Sequence, residues 1–184
     1  MLLAAGCPVS VATAQLDQDE RESIETAPLD RPNSIYTVET APEIDGVLEE
    51  LWQDGTPLSD SFRQVEPREG AEPTERTEVY LMRDSRNFYV GFRCWDQDAS
   101  SISATQMKYD GDFDPDDNVT IVIDPFRDRR TGYTFQMTAA GARKDGRITN
   151  GDRVDYNWDG IWYGRTSIDE QGWTAEMVIP FQTI

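Results

Sequence analysis

Between Arg76 and Pro180 apolar and polar residues change places at nearly every second position, in the segments RTEVYLMRD, NFYVGFRCWD, NVTIVID, GYTFQMT, IWYGRTSI and GWTAEMVIP. A period of two puts one set of side chains on each face of an extended chain, so such segments fold as half-buried strands rather than helices. Clusters of Gly, Pro, Asn and Asp separate them, and six strands at this spacing predict an all-β fold, an antiparallel β-sandwich of jelly-roll-like form. The inward sets are Phe88, Val90, Phe92 and Cys94; then Tyr133, Phe135 and Met137; then Trp173, Ala175, Met177 and Ile179. The turn Asp84-Ser-Arg-Asn87 is short enough to pair its flanking strands as a hairpin. One short helix is expected near Leu48, Leu51 and Trp52, capped by Asp45.

Charge narrows the choice of partners. With a formal net charge of −18, the chain has little means of holding phosphate, so nucleic acid and anionic membrane surfaces are poor partners. There is no histidine, which removes Ser-His-Asp triads, His-based acid/base catalysis and imidazole zinc sites. The two cysteines, Cys7 and Cys94, are too few for a thiolate metal centre.

Residues 1–14 form a short apolar run closing on Ala12-Thr13-Ala14, a small-x-small pattern read here as a signal peptide cut before Gln15. The protein is then expected to be exported to the periplasm, the outer membrane or the extracellular space. Cleavage leaves Cys94 as a single thiol, expected to be buried as a small hydrophobe. Residues 15–34 are polar and charged with no apolar period and read as a disordered leader, and the folded domain is expected over residues 35–184.

Five stretches in order resemble the family 9 carbohydrate-binding modules, in particular the family-9-like domain of exported bacterial envelope proteins. They are IDGVLEELW from Ile44, FYVGFRCWD from Phe88, DDNVTIVIDPFRDRR from Asp116, GYTF from Gly132 and GWTAEMVIPF from Gly172. The resemblance implies a β-sandwich that binds sugar without cleaving it, with structural calcium in some members. It also implies a two-walled aromatic clamp. One wall precedes the Asp-Asp strand, where this chain has Phe113 and Asp114, with Tyr109 earlier. A sugar-contacting carboxylate early in that strand corresponds to Thr120, and the second wall lies beyond the Ile-Pro-Phe match, so the sandwich is expected to be truncated at its C-terminal end.

The stretch DGDFDPDD, from Asp110 to Asp117, fails as an EF-hand because Pro115 and Ile121 stand where Gly and Glu are required. Two readings stay open. In one it is a solvated acidic loop that blunts a strand entry. In the other Asp112, Asp114 and Asp116, with Asp124 and Asp128 from the far end of the strand, hold a calcium ion through hard oxygen ligands.

Sugar recognition wants a flat ring beside a few polar groups. Trp158 and Trp162 lie in a polar loop-to-strand stretch, although Trp162, in IWYGRTSI, suits the core better than a platform. Trp95 and Tyr109 are the further rings. Arg93, Gln136 and Glu176 fall on non-core positions and are candidates for bonding hydroxyls; Glu176 can instead pair with Arg93. No acid/base pair of defined separation emerges, so the chain is read as non-catalytic. The expected ligand is a polysaccharide or oligosaccharide of plant type, xylan or cellulose. The competing readings are an interaction cap on a larger outer-membrane-associated protein, with a downstream membrane-associated domain as partner, and a portion of a glycoside hydrolase whose chemistry lies elsewhere.

Overall fold

A computed structural model describes residues 2–5, 35–54 and 62–184. The expected leader and most of the expected signal peptide, Cys7 included, lie outside the described residues. Among the described residues ten strands form two five-stranded sheets. Sheet A has the order β1-β5-β6-β7-β8, built from Leu2–Ala5, Asn118–Ile123, Gly132–Thr138, Arg143–Thr149 and Arg153–Asp155. Sheet B has the order β2-β3-β4-β10-β9, built from Tyr36–Thr37, Thr77–Arg83, Asn87–Trp95, Gly172–Pro180 and Tyr163–Asp169. All ladders are antiparallel except the two-residue β2–β3 pair. The Asp84–Asn87 hairpin forms as expected, with the Asp84 carboxylate accepting from the Arg86 and Asn87 amides.

The alternation works as the sequence implies. Val79, Val90 and Phe92 from β3 and β4, Ala175, Met177 and Ile179 from β10, and Val119, Ile121, Phe135 and Met137 from β5 and β6 form one buried cluster between the sheets. Burying a large aliphatic or aromatic side chain stabilises by roughly 1.5–3 kcal/mol, so this cluster dominates the driving force for folding. Cys94 belongs to it, and burial pushes its thiol up to about 12.

A second cluster covers part of the outer face of sheet B. Trp52 packs with Val38, Tyr80, Met82 and Tyr89, and Ile44, Leu48, Leu51 and Val178 close around them. The helix that carries Trp52, α1 (Glu50–Gln53), is a single turn and starts later than expected. Asp45 does not cap it; the Asp45 carboxylate accepts from the Val47 amide and fixes the preceding turn. Trp52 approaches the sheet over Gly91, where an added Cβ would lie 2.8 Å from its Cε3 atom and 2.9 Å from Leu48 Cδ2.

β7 and β8 carry no clear apolar alternation and are not foreseeable as strands. RKDGRIT has polar side chains on both faces, and its place in the sheet comes from pairing with β6 over Arg143 to Ile148 and with β8 over Arg147 to Thr149.

Candidate functional site

The outer face of sheet A carries a row of polar side chains fixed by the ladder register. Thr120 on β5 stands opposite Gln136 on β6, and Gln136 stands opposite Lys144 on β7. All three are half-buried. Gln136 donates from Nε2 to Asn118 Oδ1 at 3.0 Å, and the Asn118 amide nitrogen donates to the Asp116 and Phe113 carbonyls. The row is therefore held in place before any ligand arrives.

A ring borders the row. Gly146, the next outward position along β7 from Lys144, leaves space that Tyr156 and Val154 fill; a Cβ there would meet Tyr156 Cδ1 at 3.1 Å and Val154 Cγ1 at 2.7 Å. Tyr156 is exposed, and Lys144 Nζ lies 4.4 Å from its ring centre while donating to the Gly111 carbonyl. An exposed ring beside a cation, an amide and a hydroxyl is the combination that recognises a polyhydroxylated ring. Of the sequence candidates only Gln136 falls in this row. Lys144 and Tyr156 were missed because β7 and β8 have no period to announce them; Lys144 stands opposite Gln136 of GYTFQMT, and Tyr156, just past β8, lies over Gly146 of β7.

The other candidate rings are held elsewhere. Trp162 is buried at the core edge, 5.3 Å from Phe135, and Trp158 packs on Tyr133 at 4.9 Å. Trp162 takes the core place the sequence also allowed it, and Trp158 is half-buried against Tyr133, so neither stands as the free stacking platform considered for them. The cause is Asp145, nearly fully buried, whose Oδ1 accepts from Trp162 Nε1 at 3.1 Å and whose Oδ2 accepts from the Gly160 amide at 2.6 Å. These bonds fold the Tyr156–Trp162 stretch back onto the sandwich. Tyr109 also donates its hydroxyl to Asp145, and burial together with that carboxylate raises the phenol well above its ordinary value. Its ring remains partly exposed and near Arg143, whose guanidinium carbon is 5.8 Å from the ring centre. Phe113 is buried, so it offers no wall to a ligand.

Arg93, Trp95 and Glu176 lie on the outer face of sheet B and not with Gln136, which splits the expected constellation across the two outer surfaces. Arg93 does not pair with Glu176: its NH1 and NH2 donate to Asp169 at 2.6 and 2.9 Å, and its guanidinium stacks 4.3 Å from the Trp95 ring centre. Glu176 is fully buried beneath the Asp45–Gly46 turn, where its Oε2 accepts from the Asp45 and Gly46 amides at 2.9 and 2.6 Å. No sugar hydroxyl reaches it. Burial raises its carboxyl to about 7 despite those two bonds.

The five aspartates considered for calcium do not form one set. Asp112, Asp114 and Asp116 stand before β5 and Asp124 and Asp128 after it, with a strand of about 20 Å between. Asp116 is buried and its oxygens accept from the Thr105 and Gln106 amides, both at 2.6 Å, and from the Thr105 and Ser103 hydroxyls. Burial alone would raise this carboxyl, but the bonds outweigh it and hold it below the ordinary range. Asp112 accepts from the Asp114 amide. Asp124 accepts from the amides of Phe126, Asp128 and Arg129, and Asp128 from Arg130 and Thr131. Their work is to satisfy turn amides. Among the described residues no three carboxylate or thiol groups converge, so the five aspartates do not act together as one ligand set.

The family profile described as "Carbohydrate family 9 binding domain-like" matches residues 44–184. The chain belongs to this family. Solved structures agree with the fold of the family 9 domain. A family 9 carbohydrate-binding module from Caldicellulosiruptor kristjanssonii in complex with glucose aligns with a TM-score of 0.56 at 18% identity, covering 80% of this chain and 68% of that one. The same module with cellotriose gives 0.54 at 19% identity, covering 79% and 66%. A Bacteroides uniformis protein whose structure is described as that of a "putative carbohydrate-binding protein" gives 0.58 at 16% identity, covering 81% and 72%. No curated protein sequence matches the chain.

Proposed function

We propose that this family 9 domain is a non-catalytic module that binds oligosaccharide on the outer face of sheet A. The observation that carries the reading is the pre-positioned row Thr120, Gln136 and Lys144 beside the exposed Tyr156 ring. The related module held glucose in one structure and cellotriose in another, which favours a glucose-based ligand. Thr120 can donate or accept one hydroxyl bond, Gln136 offers both, and Lys144 supplies a charged donor. Glu176, whose carboxyl is pushed up to about 7, is sealed under a turn where no substrate reaches it, which favours binding without hydrolysis. Export, proposed from the apolar run of residues 1–14, would place the module where polysaccharide is met.

A second reading is an interaction cap that does not bind sugar. It is favoured by Thr120 standing where the family resemblance implies a carboxylate and by the burial of Phe113. Isothermal titration with glucose, cellotriose and xylotriose separates the two. Saturable binding that weakens roughly tenfold on Tyr156→Ala or Gln136→Ala is expected. No heat with any of the three sugars at about 10 mM would leave the cap reading standing.

A further inference from the structure

The opposite surface of the sandwich carries a groove of about 480 Å³ between the Gly46–Gln53 segment and the open end of sheet B. That volume falls within the range of small-molecule sites, roughly 300–1,000 Å³. Its lining includes Trp95, Arg93, Glu78, Asp169, Gln171 and Trp52. Four of these form a preset network. Glu78 Oε2 accepts from Trp95 Nε1 at 3.3 Å and from the Tyr80 hydroxyl at 3.0 Å, while its other oxygen meets Arg76 at 2.5 Å. Arg93 is forked onto Asp169 and stacked on Trp95. Trp52 also lines the groove although it is fully buried, and its indole N–H has no hydrogen-bond partner among the described residues, so its signal is free to report changes in the groove above it.

We propose that this groove is a second glycan site, taking one or two neutral pyranose rings, and that the domain can engage two sugar chains on opposite faces. This rests on the oligosaccharide reading of the family. The chemistry of the lining sets the ligand class. An anion would face Glu78 and Asp169 across a chain of net charge −18, and a cation would face the Arg93 guanidinium at the centre. A neutral polyhydroxylated ring fits both signs: carboxylate oxygens accept from hydroxyls, the Gln171 amide does both, and the partly exposed Trp95 ring offers an apolar surface.

Nitrogen-15 NMR of the intact chain during titration with glucose and then cellotriose tests this. The side-chain resonances of Gln136 and Asn118 report sheet A, and the indole resonances of Trp95 and Trp52 report the groove. The expected result is saturable movement of both indole signals with a dissociation constant different from that of sheet A. Gln171→Ala and Trp95→Phe should weaken the groove response roughly tenfold. Indoles that stay still while the Gln136 and Asn118 amides move overturn the second site and leave the first. If neither set moves at about 10 mM sugar, both proposals fail.

Discussion

Glu176 stands opposite Gly91 in the ladder between β10 and β4, and over the glycine lies Trp52 in place of a side chain. The carboxyl is thereby closed in by the second cluster and the turn that bonds to it. Its proton affinity rises because water cannot reach it, and the strand beneath the helix becomes sensitive to pH.

For Glu176 the sign of that sensitivity follows from its raised value of about 7 against an ordinary 4.5. Between those two values the unfolded chain gives up the proton and the folded chain keeps it, so stability falls as pH rises through that window and then levels off. The gap corresponds to on the order of 3 kcal/mol at most. Glu176→Gln keeps an acceptor for the Asp45 and Gly46 amides and removes the titration. Melting of both proteins at roughly pH 5 and pH 8 should show the variant gaining on the wild type at the higher pH. Parallel pH profiles would refute the assignment.

Asp145 ties three elements at one end of sheet A by accepting from Tyr109, Gly160 and Trp162. Asp145→Ala strands three donors, and a loss of about 2–4 kcal/mol in urea unfolding is expected. Tryptophan emission should move to longer wavelength as Trp162 becomes wet. An unchanged spectrum would mean that the loop is held by packing alone.

Asp116 gives the corresponding prediction for the acidic loop. Its bonds to Ser103, Thr105 and Gln106 make it structural without an ion, so Asp116→Ala is expected to lower stability by about 2–4 kcal/mol in chelator. Wild-type melting curves in calcium and in chelator should coincide. A rise in melting temperature with calcium would show that a cation binds the folded state and reopen the metal reading.

The parts of the fold legible in the sequence were those where one face of a strand is apolar. Phe88 to Cys94, Tyr133 to Met137 and Trp173 to Ile179 all follow their alternation into the core. The site was less legible because alternation assigns a residue to a face but not to a sheet. Arg93, Gln136 and Glu176 share outward parity, yet they occupy two surfaces on opposite sides of the molecule. Trp158 and Trp162 were hard to place for another reason. Their polar neighbourhood suggested exposure, whereas Asp145 on β7 bonds to Trp162 and to the Gly160 amide, and Trp158 packs on Tyr133. For the aspartates, spacing shows where oxygens are plentiful and not which turn amides already occupy them.

The short segment Leu2–Ala5 lies along the flank of β5, each residue matched to one of Val119 to Val122. Should a peptidase cut after Ala14, as the sequence reading expects, it would take that segment away and leave an unzipped seam whose main-chain groups could be stitched by any extended peptide that comes alongside, an adhesive margin next to the surface that carries Thr120.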